Sequence, residues 1–503
     1  MDNKPILLFF LLFISVSITS FAQYGFEKKY GASGYEEGHC VINTNDGNFA
    51  VFGFTNSTVN GDADGYILKI NQKGDSLWMK MYGGSGEDVI KYGIQTADSG
   101  YLLCGYTDLD STNRNILLIK TDSTGTMEWM KNYGGADEDY AYSLQSTIDS
   151  AYIVTGKTKS FGSGNYDMFS FKIDMMDDSI WFKTYGTSLN DIARHIEITN
   201  DSAYVIVGSS QDILNNNYDV QLLKLDFFGD TLWTKRFHQR VDCFGYSTEQ
   251  TSDNGYILCG FHEDTTTNPV RDIFVIKTDS LGNEQWRDTV RSWSFDYEGT
   301  MLHSIKQTND GFYIAVGTDH LEVICKRSNG EPLHNEKDNL FITKLNNAGS
   351  VVWENSLYHS NYLRESGMGA AIVDDSTYIF CGYAQDYWPT GTGSIFVVKT
   401  NLFGNPWNAI SEYEKGNYAL SVFPNPANSY LNITLNNEYI TYIDVQLIDI
   451  MGRVIHQEKF NNVLPLQTIN LNIEKLNLSG GIYLLTVEDD TSKKGIARVS
   501  VIH

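Results

Sequence analysis

The sequence predicts an all-β protein in which a seven-bladed β-propeller is followed by a small Ig-like β-sandwich. Three observations support this fold class. The 503 residues include 44 Gly and 31 Tyr but only 8 Pro, a composition typical of β-sheet proteins. A pattern of about fifty residues repeats along most of the chain, and a segment without that pattern follows it. The length also exceeds the roughly 250–300 residues that one hydrophobic core serves, so we expect at least two domains.

Charge and hydropathy argue against several classes of protein. The chain carries 37 Lys+Arg against 62 Asp+Glu, a net charge of −25, and such a surface repels nucleic-acid phosphates. Aromatic residues make up 13% and charged residues only 20%, which argues against a disordered acidic chain. No apolar run of 18 residues occurs beyond the N-terminus. We therefore expect no membrane span in the mature chain.

The N-terminus has the pattern of an export signal. Lys4 precedes an apolar stretch from Ile6 to Ile18, and Ser20-Phe21-Ala22 supplies small residues at the two positions that a signal peptidase reads. We expect residues 1–22 to be a signal peptide, in preference to a buried N-terminal helix. The mature protein therefore leaves the cytoplasm.

The six cysteines are too sparse for a disulfide framework in an exported chain of this length. Cys104, Cys259 and Cys381 each precede a glycine at equivalent positions of different repeats, where other repeats have Thr or Val. This pattern indicates a small buried side chain. No C-x-x-C pair occurs, so zinc and thioredoxin-type chemistry lack support.

Three markers keep one register through seven repeats. A tryptophan recurs at spacings of 51, 52, 52, 53, 67 and 54 residues, a lysine precedes each tryptophan, and a glycine closes an apolar run in each repeat. The tryptophans are Trp78, Trp129, Trp181, Trp233, Trp286, Trp353 and Trp407; the lysines are Lys69, Lys120, Lys172, Lys224, Lys277, Lys344 and Lys399; the glycines are Gly53, Gly105, Gly156, Gly208, Gly260, Gly317 and Gly382. This regularity indicates a repeat architecture.

Each repeat contains four short strands. In one repeat they are predicted over Tyr92–Thr96, Tyr101–Tyr106, Ile116–Lys120 and Met127–Tyr133. The connections between consecutive strands make each repeat an antiparallel meander. Because the middle strands are apolar on both faces, each sheet must be covered on both sides, which radial stacking of like sheets achieves.

We expect the propeller to span residues 23–410 and to close on itself. Phe26–Gly31 matches a fourth strand, whereas the fourth strand of the last repeat, at Pro406–Asn408, looks truncated. The N-terminal piece is therefore expected to join the last blade. An open solenoid of β units is the alternative, and closure is favoured because it removes sheet edges.

The repeats over about residues 24–410 resemble the short β-propeller repeats of secreted bacterial proteins, with the form W-x-K-x-Y-G-G, D-G-G-Y, G-x-T and D-x-x-x-x-K-T-D-x-x-G. This resemblance implies the fold and says little about activity. The segment Lys277–Trp286 is also similar to the tryptophan-docking repeats of quinoprotein dehydrogenases. Those proteins have a disulfide that contacts the quinone, and no adjacent cysteine pair occurs here, so we expect no quinone cofactor.

The last hundred residues differ from the repeats. After a linker at 411–417, about seven short strands are expected within 418–503, which predicts a small β-sandwich. Three segments carry motifs in order, namely Val422–Pro426, Asp449–Arg453 and Leu478–Tyr483.

These motifs resemble the C-terminal sorting domain of the type IX secretion system of Bacteroidetes-type bacteria. The resemblance implies a sorting motif formed by Pro424, Asn425, Pro426, Gly452, Gly481 and Tyr483. It also implies that the secretion machinery is a partner, and that the protein is secreted or displayed on the outer-membrane cell surface after periplasmic transit. Arg498 stands where the family usually has Lys. An ordinary Ig-like accessory domain is the alternative.

One face of the predicted propeller collects acidic residues. In a meander, strands one and three run in the same direction, so their starts lie on one face with the long loops between strands two and three. The candidate ligand-binding residues at the starts of third strands are Asp64, Asp167, Asp219 and Asp272. An acidic face of this kind suits Ca²⁺ or a cationic ligand, but no D-x-D-x-D-G calcium loop occurs, so we predict no metal site and no cofactor, with Ca²⁺ as the alternative. The alternative, which repetition in every blade favours, is that these side chains bond turn N–H groups.

Aromatic side chains in the loops of the last blade suggest a site for sugars. Tyr387 and Trp388 lie beside Gly391 and Gly393, and exposed aromatic rings suit stacking on sugar rings. Blade six carries an insertion, Leu321–Asp338, which is a second candidate for the mouth of a pocket. For both segments, variation of loops on a repeat scaffold is the alternative.

The sequence offers no catalytic constellation, and we predict no catalytic residue. The histidines lack paired spacing, His195 and His303 suit buried positions in first strands, and no G-x-S-x-G motif occurs.

We predict an exported or surface propeller that binds glycan or protein without catalysis. The alternatives are a polysaccharide hydrolase or lyase and a structural or adhesion component. The enzyme alternative predicts a central pocket with two acids or an acid and a histidine, whereas the binder predicts exposed aromatic residues and no buried carboxylate pair.

Overall fold

The computed structural model describes much of the chain from residue 25 to residue 501. The described residues are 25–31, 34–57, 62–109, 113–174, 179–238, 241–264, 270–288, 300–326, 332–357, 362–375, 377–386, 392–401, 404, 419–423, 431–436, 440–449, 453–463, 468–476, 478, 481–489 and 494–501. The expected signal peptide and linker lie outside these residues, as do Tyr387, Trp388, Trp407, Pro424, Asn425, Pro426 and Gly452.

Strands account for nearly all the regular structure of the described repeats. They are β1 (Phe26–Tyr30), β2 (Glu36–Asn43), β3 (Phe49–Thr55), β4 (Asp64–Ile70), β5 (Ser76–Tyr82), β6 (Asp88–Gln95), β7 (Tyr101–Asp108), β8 (Arg114–Thr121), β9 (Met127–Tyr133), β10 (Asp139–Ser146), β11 (Tyr152–Thr158), β12 (Asp167–Ile173), β13 (Ser179–Tyr185), β14 (Asp191–Ile198), β15 (Tyr204–Gln211), β16 (Tyr218–Leu225), β17 (Thr231–Phe237), β18 (Asp242–Gln250), β19 (Tyr256–Asp264), β20 (Val270–Thr278), β21 (Glu284–Asp288), β22 (Met301–Gln307), β23 (Tyr313–Lys326), β24 (Pro332–Leu345), β25 (Val351–Leu357), β26 (Tyr362–Asp374), β27 (Thr377–Asp386) and β28 (Gly393–Asn401). The prediction of an all-β chain is confirmed.

The described strands group into antiparallel meanders of four. The first five meanders are separate sheets, β2–β5, β6–β9, β10–β13, β14–β17 and β18–β21. The sixth meander, β22–β25, and the seventh, β26–β28 with β1, share one eight-stranded sheet through a parallel bridge between Asp338 and Arg364. These four-stranded units are consistent with a propeller.

The N-terminal strand completes the last meander. Strand β1 pairs antiparallel with β28, from Phe26 opposite Lys399 to Tyr30 opposite Ile395. One hydrophobic cluster joins Val51 of the first meander to Ile379 of the last. The first and last units therefore meet, as the sequence predicted for Phe26–Gly31.

The marker tryptophans pack against the neighbouring unit. The indole of Trp78 covers Gly125 in the turn between the third and fourth strands of the next meander, where a Cβ would lie 2.8 Å from Trp78 Cζ3. The same relationship recurs between Trp181 and Gly229, Trp233 and Gly282, Trp286 and Gly349, and Trp353 and Gly404. Each glycine has a positive φ, so glycine is favoured there by both the turn and the close approach.

The marker lysines lie buried and pair with an aspartate in the turn between the first two strands. Lys172 is 1% exposed, and its Nζ lies 2.9 Å from Asp149 Oδ2. The same pairing occurs between Lys69 and Asp46, Lys120 and Asp98, Lys224 and Asp201, Lys277 and Asp253, and Lys344 and Asp310. The repeated lysine therefore has a structural role at the turn.

The C-terminal region forms two further sheets. Its strands are β29 (Ala419–Phe423), β30 (Leu431–Asn436), β31 (Ile440–Asp449), β32 (Val454–Val463), β33 (Thr468–Leu471), β34 (Gly481–Asp489) and β35 (Lys494–Val501), with a 3₁₀ helix at Glu474–Leu476. The sheets have the orders β29-β30-β33 and β32-β31-β34-β35. Residues of both sheets, among them Ile433 and Leu485, share one core, in which Tyr483 is 6% exposed.

The cysteines at the equivalent repeat positions are small buried side chains, as the sequence predicted. Cys104, Cys259 and Cys381 are free and fully buried. Within the described part of the chain, no helix has the length and apolar character needed to cross a membrane.

Candidate functional site: the central channel

A cavity of about 310 Å³ is lined by the first strand of every meander. The strands are β2, β6, β10, β14, β18, β22 and β26, which belong to seven consecutive units. A cavity to which every unit contributes is central to the ring of units, and we call it the channel. Its volume lies at the small end of the range of about 300–1,000 Å³ that is usual for ligand sites.

Each of these first strands has a β-bulge at the same place. The pairing of β2 with β3 skips from Gly38 to Cys40, and the pairing of β6 with β7 skips from Ile90 to Tyr92. The residue that is skipped lines the channel in all seven units: His39, Lys91, Tyr142, Arg194, Tyr246, His303 and Met368. We call these seven side chains the bulge ring. A bulge reorients one side chain of a strand, and here it supplies the channel lining.

One side of the bulge ring joins an acid, an imidazole and an amine. His39 Nε2 lies 2.9 Å from Glu37 Oε2 and 3.3 Å from Lys91 Nζ, and His39 Nδ1 lies 2.6 Å from the carbonyl oxygen of Ile90. Burial lowers the pKa of the His39 imidazole, and the charge of Lys91 lowers it further. Burial opposes ionisation of Glu37, but the bonds from His39 and Tyr35 and the charge of Lys91 lower its pKa to about 2. Glu37 is therefore the anion of this group at neutral pH.

The opposite side of the ring centres on Arg194. Its guanidinium carbon lies 4.6 Å from the ring centroid of Tyr142 and 5.1 Å from that of Tyr246, so that both rings make cation–π contacts. The ring of Tyr246 also lies 5.2 Å from that of His303. Burial, together with the charges of Arg194 and His39, lowers the pKa of His303 to about 4, which makes this imidazole neutral at pH 7.

Three residues beyond the bulges lies a second set of charged side chains, of which Lys306 lines the channel whereas Glu197 and Glu249 do not. Lys306 Nζ lies 3.2 Å from Glu249 Oε2. Burial raises the pKa of Glu197 to about 7, and the charge of Lys306 opposes that shift. Between the two levels, the ring of His195 lies 5.8 Å from that of Tyr92. His195 is 6% exposed, as predicted for a buried histidine, and burial lowers its pKa to about 3.

The acidic positions predicted from sequence lie away from the channel lining. The backbone N–H groups of Ser163 and Gly164 donate to Asp167 Oδ2 at 2.8 and 2.7 Å. At the starts of first strands, Asp88 and Asp139 accept the N–H groups of Gly84 and Gly135. These bonds fit the alternative interpretation, in which the acidic side chains accept hydrogen bonds from the N–H groups of the turns. A ligand-binding role for these positions stays a prediction.

The other predicted acids have different surroundings. Asp64 lies near Asp88 and Asp62, and burial followed by these two charges raises its pKa to about 6. Asp272 Oδ2 lies 3.6 Å from His262 Nε2. Asp219 Oδ2 lies 2.7 Å from His238 Nδ1.

A cluster on the fourth meander has the composition of a metal site. Atoms of Asp212, Asp219 and His238 lie within 4.8 Å of one another. Two carboxylates and an imidazole suit a transition metal better than Ca²⁺, which prefers oxygen ligands only. His238 is 59% exposed and already pairs with Asp219.

The insertion of the sixth meander forms a long hairpin. It extends β23 to Lys326 and begins β24 at Pro332, with register from Asp319 opposite Asn339 to Lys326 opposite Pro332. The insertion at Leu321–Asp338 is therefore partly strand, because its two segments pair with each other, and its role at the mouth of a pocket stays a prediction. The sugar-stacking candidates Tyr387 and Trp388 lie outside the described residues.

Comparison with known proteins identifies the C-terminal region. Residues 421–501 match the family model of the secretion system C-terminal sorting domain. This match confirms the resemblance predicted from the three motifs. No curated protein matches the chain.

Several solved structures are similar to the chain at low identity. The WD40 domain of Neurospora crassa Pan2 is 9% identical, covering 74% of this chain and 91% of that one, with a TM-score of 0.43. The β-propeller domain of the Trilobed protease from Pyrococcus furiosus is 10% identical, covering 78% and 99%, with a TM-score of 0.38. A protein of unknown function from Dyadobacter fermentans is 11% identical, covering 75% and 99%, with a TM-score of 0.41.

Proposed function

We propose that this protein is an exported or surface-displayed seven-bladed β-propeller that binds a glycan or protein ligand in its channel without catalysis. The C-terminal domain delivers it through the type IX secretion system. The convergence of the seven bulge residues on one cavity carries the proposal. The tryptophan, lysine and glycine of each repeat serve packing, whereas the bulge ring contains five residue types in seven units. Residues that the scaffold does not hold constant are the ones free to recognise a ligand.

The domain organisation follows from the same proposal. A signal peptide at 1–22 precedes the propeller at 23–410, and a linker at 411–417 leads to an Ig-like sorting domain at 418–503. The pairing of β1 with β28 supports ring closure, and the shared core of two sheets supports the sandwich. The family match over 421–501 supports the sorting role, to which we assign Pro424, Asn425, Pro426, Gly452, Gly481 and Tyr483.

A glycan-array and surface-capture experiment with the full chain tests the binding function. Tyr246→Ala removes an aromatic wall of the channel, and Phe161→Ala removes an aromatic ring that is 43% exposed. We expect the wild-type chain and Phe161→Ala to bind the same ligand and Tyr246→Ala to lose most of that binding. Equal binding by all three proteins would contradict a ligand site in the channel.

A catalytic role is the second candidate, because the channel holds an acid and a histidine side by side. Glu37 and His39 lie 2.9 Å apart in the central pocket, which is the feature that the hydrolase or lyase alternative requires. If a substrate displaces the Lys91 amine from His39 Nε2, that nitrogen can accept a proton from the substrate, with the Glu37 carboxylate beside it. Release of new reducing ends or of a sugar double bond from polysaccharides, lost in His39→Asn, would favour the enzyme over the binder. A purely structural component would show neither binding nor release.

A further inference from the structure

We infer that the channel takes a saccharide carrying an anionic group, and that Arg194 and Lys91 bind that group. The inference rests on the proposed function, since it names the class of ligand for the same channel. The anion is a carboxylate, as in a uronic acid, or a sulfate ester; both present oxygen acceptors to a guanidinium and an ammonium group.

The charge of the channel is opposite in sign to that of the whole chain. Among the described residues that line the cavity, Lys91, Arg194 and Lys306 are cations and Glu37 is the acid. Lys306 is paired with Glu249 from outside that lining, so the excess positive charge lies at the level of the bulge ring. The chain carries a net charge of −25. A cationic cavity inside an acidic protein is therefore a local feature, and it focuses its field on an anion that enters.

Arg194 has unused hydrogen-bond donors in this cavity. Within the described part of the chain, no carboxylate lies within 4 Å of its guanidinium, and its neighbours are the rings of Tyr142 and Tyr246. Among the described residues, the Tyr142 side chain shares a hydrogen bond with it. A guanidinium has five N–H donors in a planar fork. The two tyrosine rings fix the orientation of that fork, leaving donors free for a bidentate acceptor.

Lys91 adds a second donor to the same ring. Its Nζ lies 3.3 Å from His39 Nε2, and no carboxylate of the described residues lies within salt-bridge distance of it. Burial lowers the pKa of Lys91, the charge of Glu37 opposes that shift, and the charge of Arg194, which lines the same cavity, adds to it by repulsion. An anion placed between the two cations would relieve that repulsion, which gives the site a stronger preference for charged than for neutral ligands.

The aromatic side chains account for the saccharide part of the ligand. Tyr142 and Tyr246 flank Arg194 and line the cavity, offering apolar ring faces beside the cationic centre. Sugar rings pack on such faces while their substituents bond to polar neighbours. A volume of about 310 Å³ suits a short saccharide or a chain end.

Titration calorimetry of the full chain tests this inference with three probes. These are oligogalacturonides, sulfated galactan oligomers and neutral galactan oligomers of matched length. We expect one of the two anionic classes to bind at least about tenfold more tightly than the neutral oligomers, and the class that binds identifies the anion. Raising the salt concentration should weaken that binding.

Variants separate the anion contact from the fold. Arg194→Gln should reduce binding of the anionic probe by about tenfold or more, and Lys91→Met should also reduce it, whereas the outer-strand variant Arg287→Gln should bind like wild type. Thermal unfolding of each variant checks that it folds. If Arg194→Gln does not fold, Lys91→Met and the salt dependence still decide the question.

Failure of the anion preference and failure of the proposed function would give different results. Equal affinity for neutral and anionic oligomers, or wild-type affinity in Arg194→Gln, would overturn the anion preference and leave channel binding standing. Absence of binding to all saccharides, with no effect of Tyr246→Ala on any ligand found by surface capture, would overturn the proposed function together with this inference.

Discussion

Phe26 covers Gly74, and a Cβ at Gly74 would lie only 2.7 Å from Phe26 Cδ2. This is the relationship that Trp78 has with Gly125 in the next unit. Strand β1 is thus a fourth strand in which phenylalanine takes the place of tryptophan. The contact links the N-terminal piece to the first meander, while its backbone pairs with the last. One short segment therefore holds both ends of the ring.

Truncation of Phe26 should destabilise the ring. The side chain is 6% exposed, so Phe26→Ala leaves a cavity at the closing contact, at a cost of about 3–5 kcal/mol in the free energy of unfolding. Phe228 is 66% exposed, and Phe228→Ala should cost about 0.5 kcal/mol or less. Urea denaturation of the three proteins measures the difference. Similar midpoints for the two variants would argue against closure by β1.

Replacing Asp149, which pairs with a buried lysine, should lower the free energy of unfolding more than replacing Asp230, whose ion pair is largely exposed. Asp149→Asn leaves the charge of Lys172, 1% exposed, without its counter-ion. Because the Asp149 side chain is 39% exposed, water offsets part of that loss, and we expect about 1–2 kcal/mol. Asp230 pairs with Lys183 at 72% exposure, so Asp230→Asn should change stability by about 0–1 kcal/mol. Denaturant midpoints compare the two; a larger effect at Asp230 would refute the structural role of the marker lysine.

Acidification below pH 6.5 should destabilise the propeller through its channel histidines. Burial, with a contribution from the charge of Lys306, lowers the pKa of His195 to about 3, so between about pH 6.5 and 3 the unfolded chain binds a proton that the folded chain does not. His303, facing Arg194 and His39, acts in the same direction with a pKa of about 4. Glu197 opposes them, because its pKa is raised to about 7 and the folded state takes up its proton first.

Among the channel groups, the two histidines that lose stability outnumber the one acid that gains it, so we expect the free energy of unfolding to fall as the pH is lowered from 6.5 to 4.5. Outside the channel, the raised pKa of Asp64 acts in the opposite direction. His195→Asn should make this decline shallower. His456→Asn, in the C-terminal sandwich, should leave it unchanged. Denaturation curves at several pH values provide the measurement, and a wild-type stability that does not vary with pH would count against buried neutral histidines.

Binding of an anionic ligand should weaken as the pH rises from 7 to 9. Burial lowers the pKa of Lys91 to about 8, with Glu37 opposing and Arg194 assisting the shift, and His39 adjoins the amine. The protonated form binds the anion, so affinity is highest below that pKa and declines above it. Calorimetry of the wild-type chain and of Lys91→Met at several pH values checks whether Lys91 causes the decline in affinity. A decline that is equally steep in Lys91→Met would assign it to another group.

The sequence predicted the scaffold because packing constrains it directly. Trp78, Lys172 and their equivalents occupy the same contacts in successive units, so the same residue types recur at a fixed spacing. Even the closing strand was recognisable, since Phe26–Gly31 keeps the pattern of a fourth strand. The fold of the repeats follows from these regular contacts.

The channel lining was missed for an equally physical reason. The sequence pattern places the start of a first strand at Tyr92, whereas β6 begins at Asp88. A bulge at Lys91 breaks the alternation of side chains, so the periodic pattern becomes visible only after it. The available signal was that this position holds a large side chain of changing chemistry in every repeat, from His39 to Met368. The polar loops instead suggested acids such as Asp167, whose carboxylate accepts an N–H group of its own turn.

The location of a bound ligand decides between the channel and the loop face. A crystal structure of the full chain with the saccharide that binds best should show density within the channel, in contact with Arg194 and the ring of Tyr142 or Tyr246. Density on the loop face beside Asp64 or Asp219, with the channel free of ligand, would contradict the account and return the site to the acidic positions that the sequence first indicated.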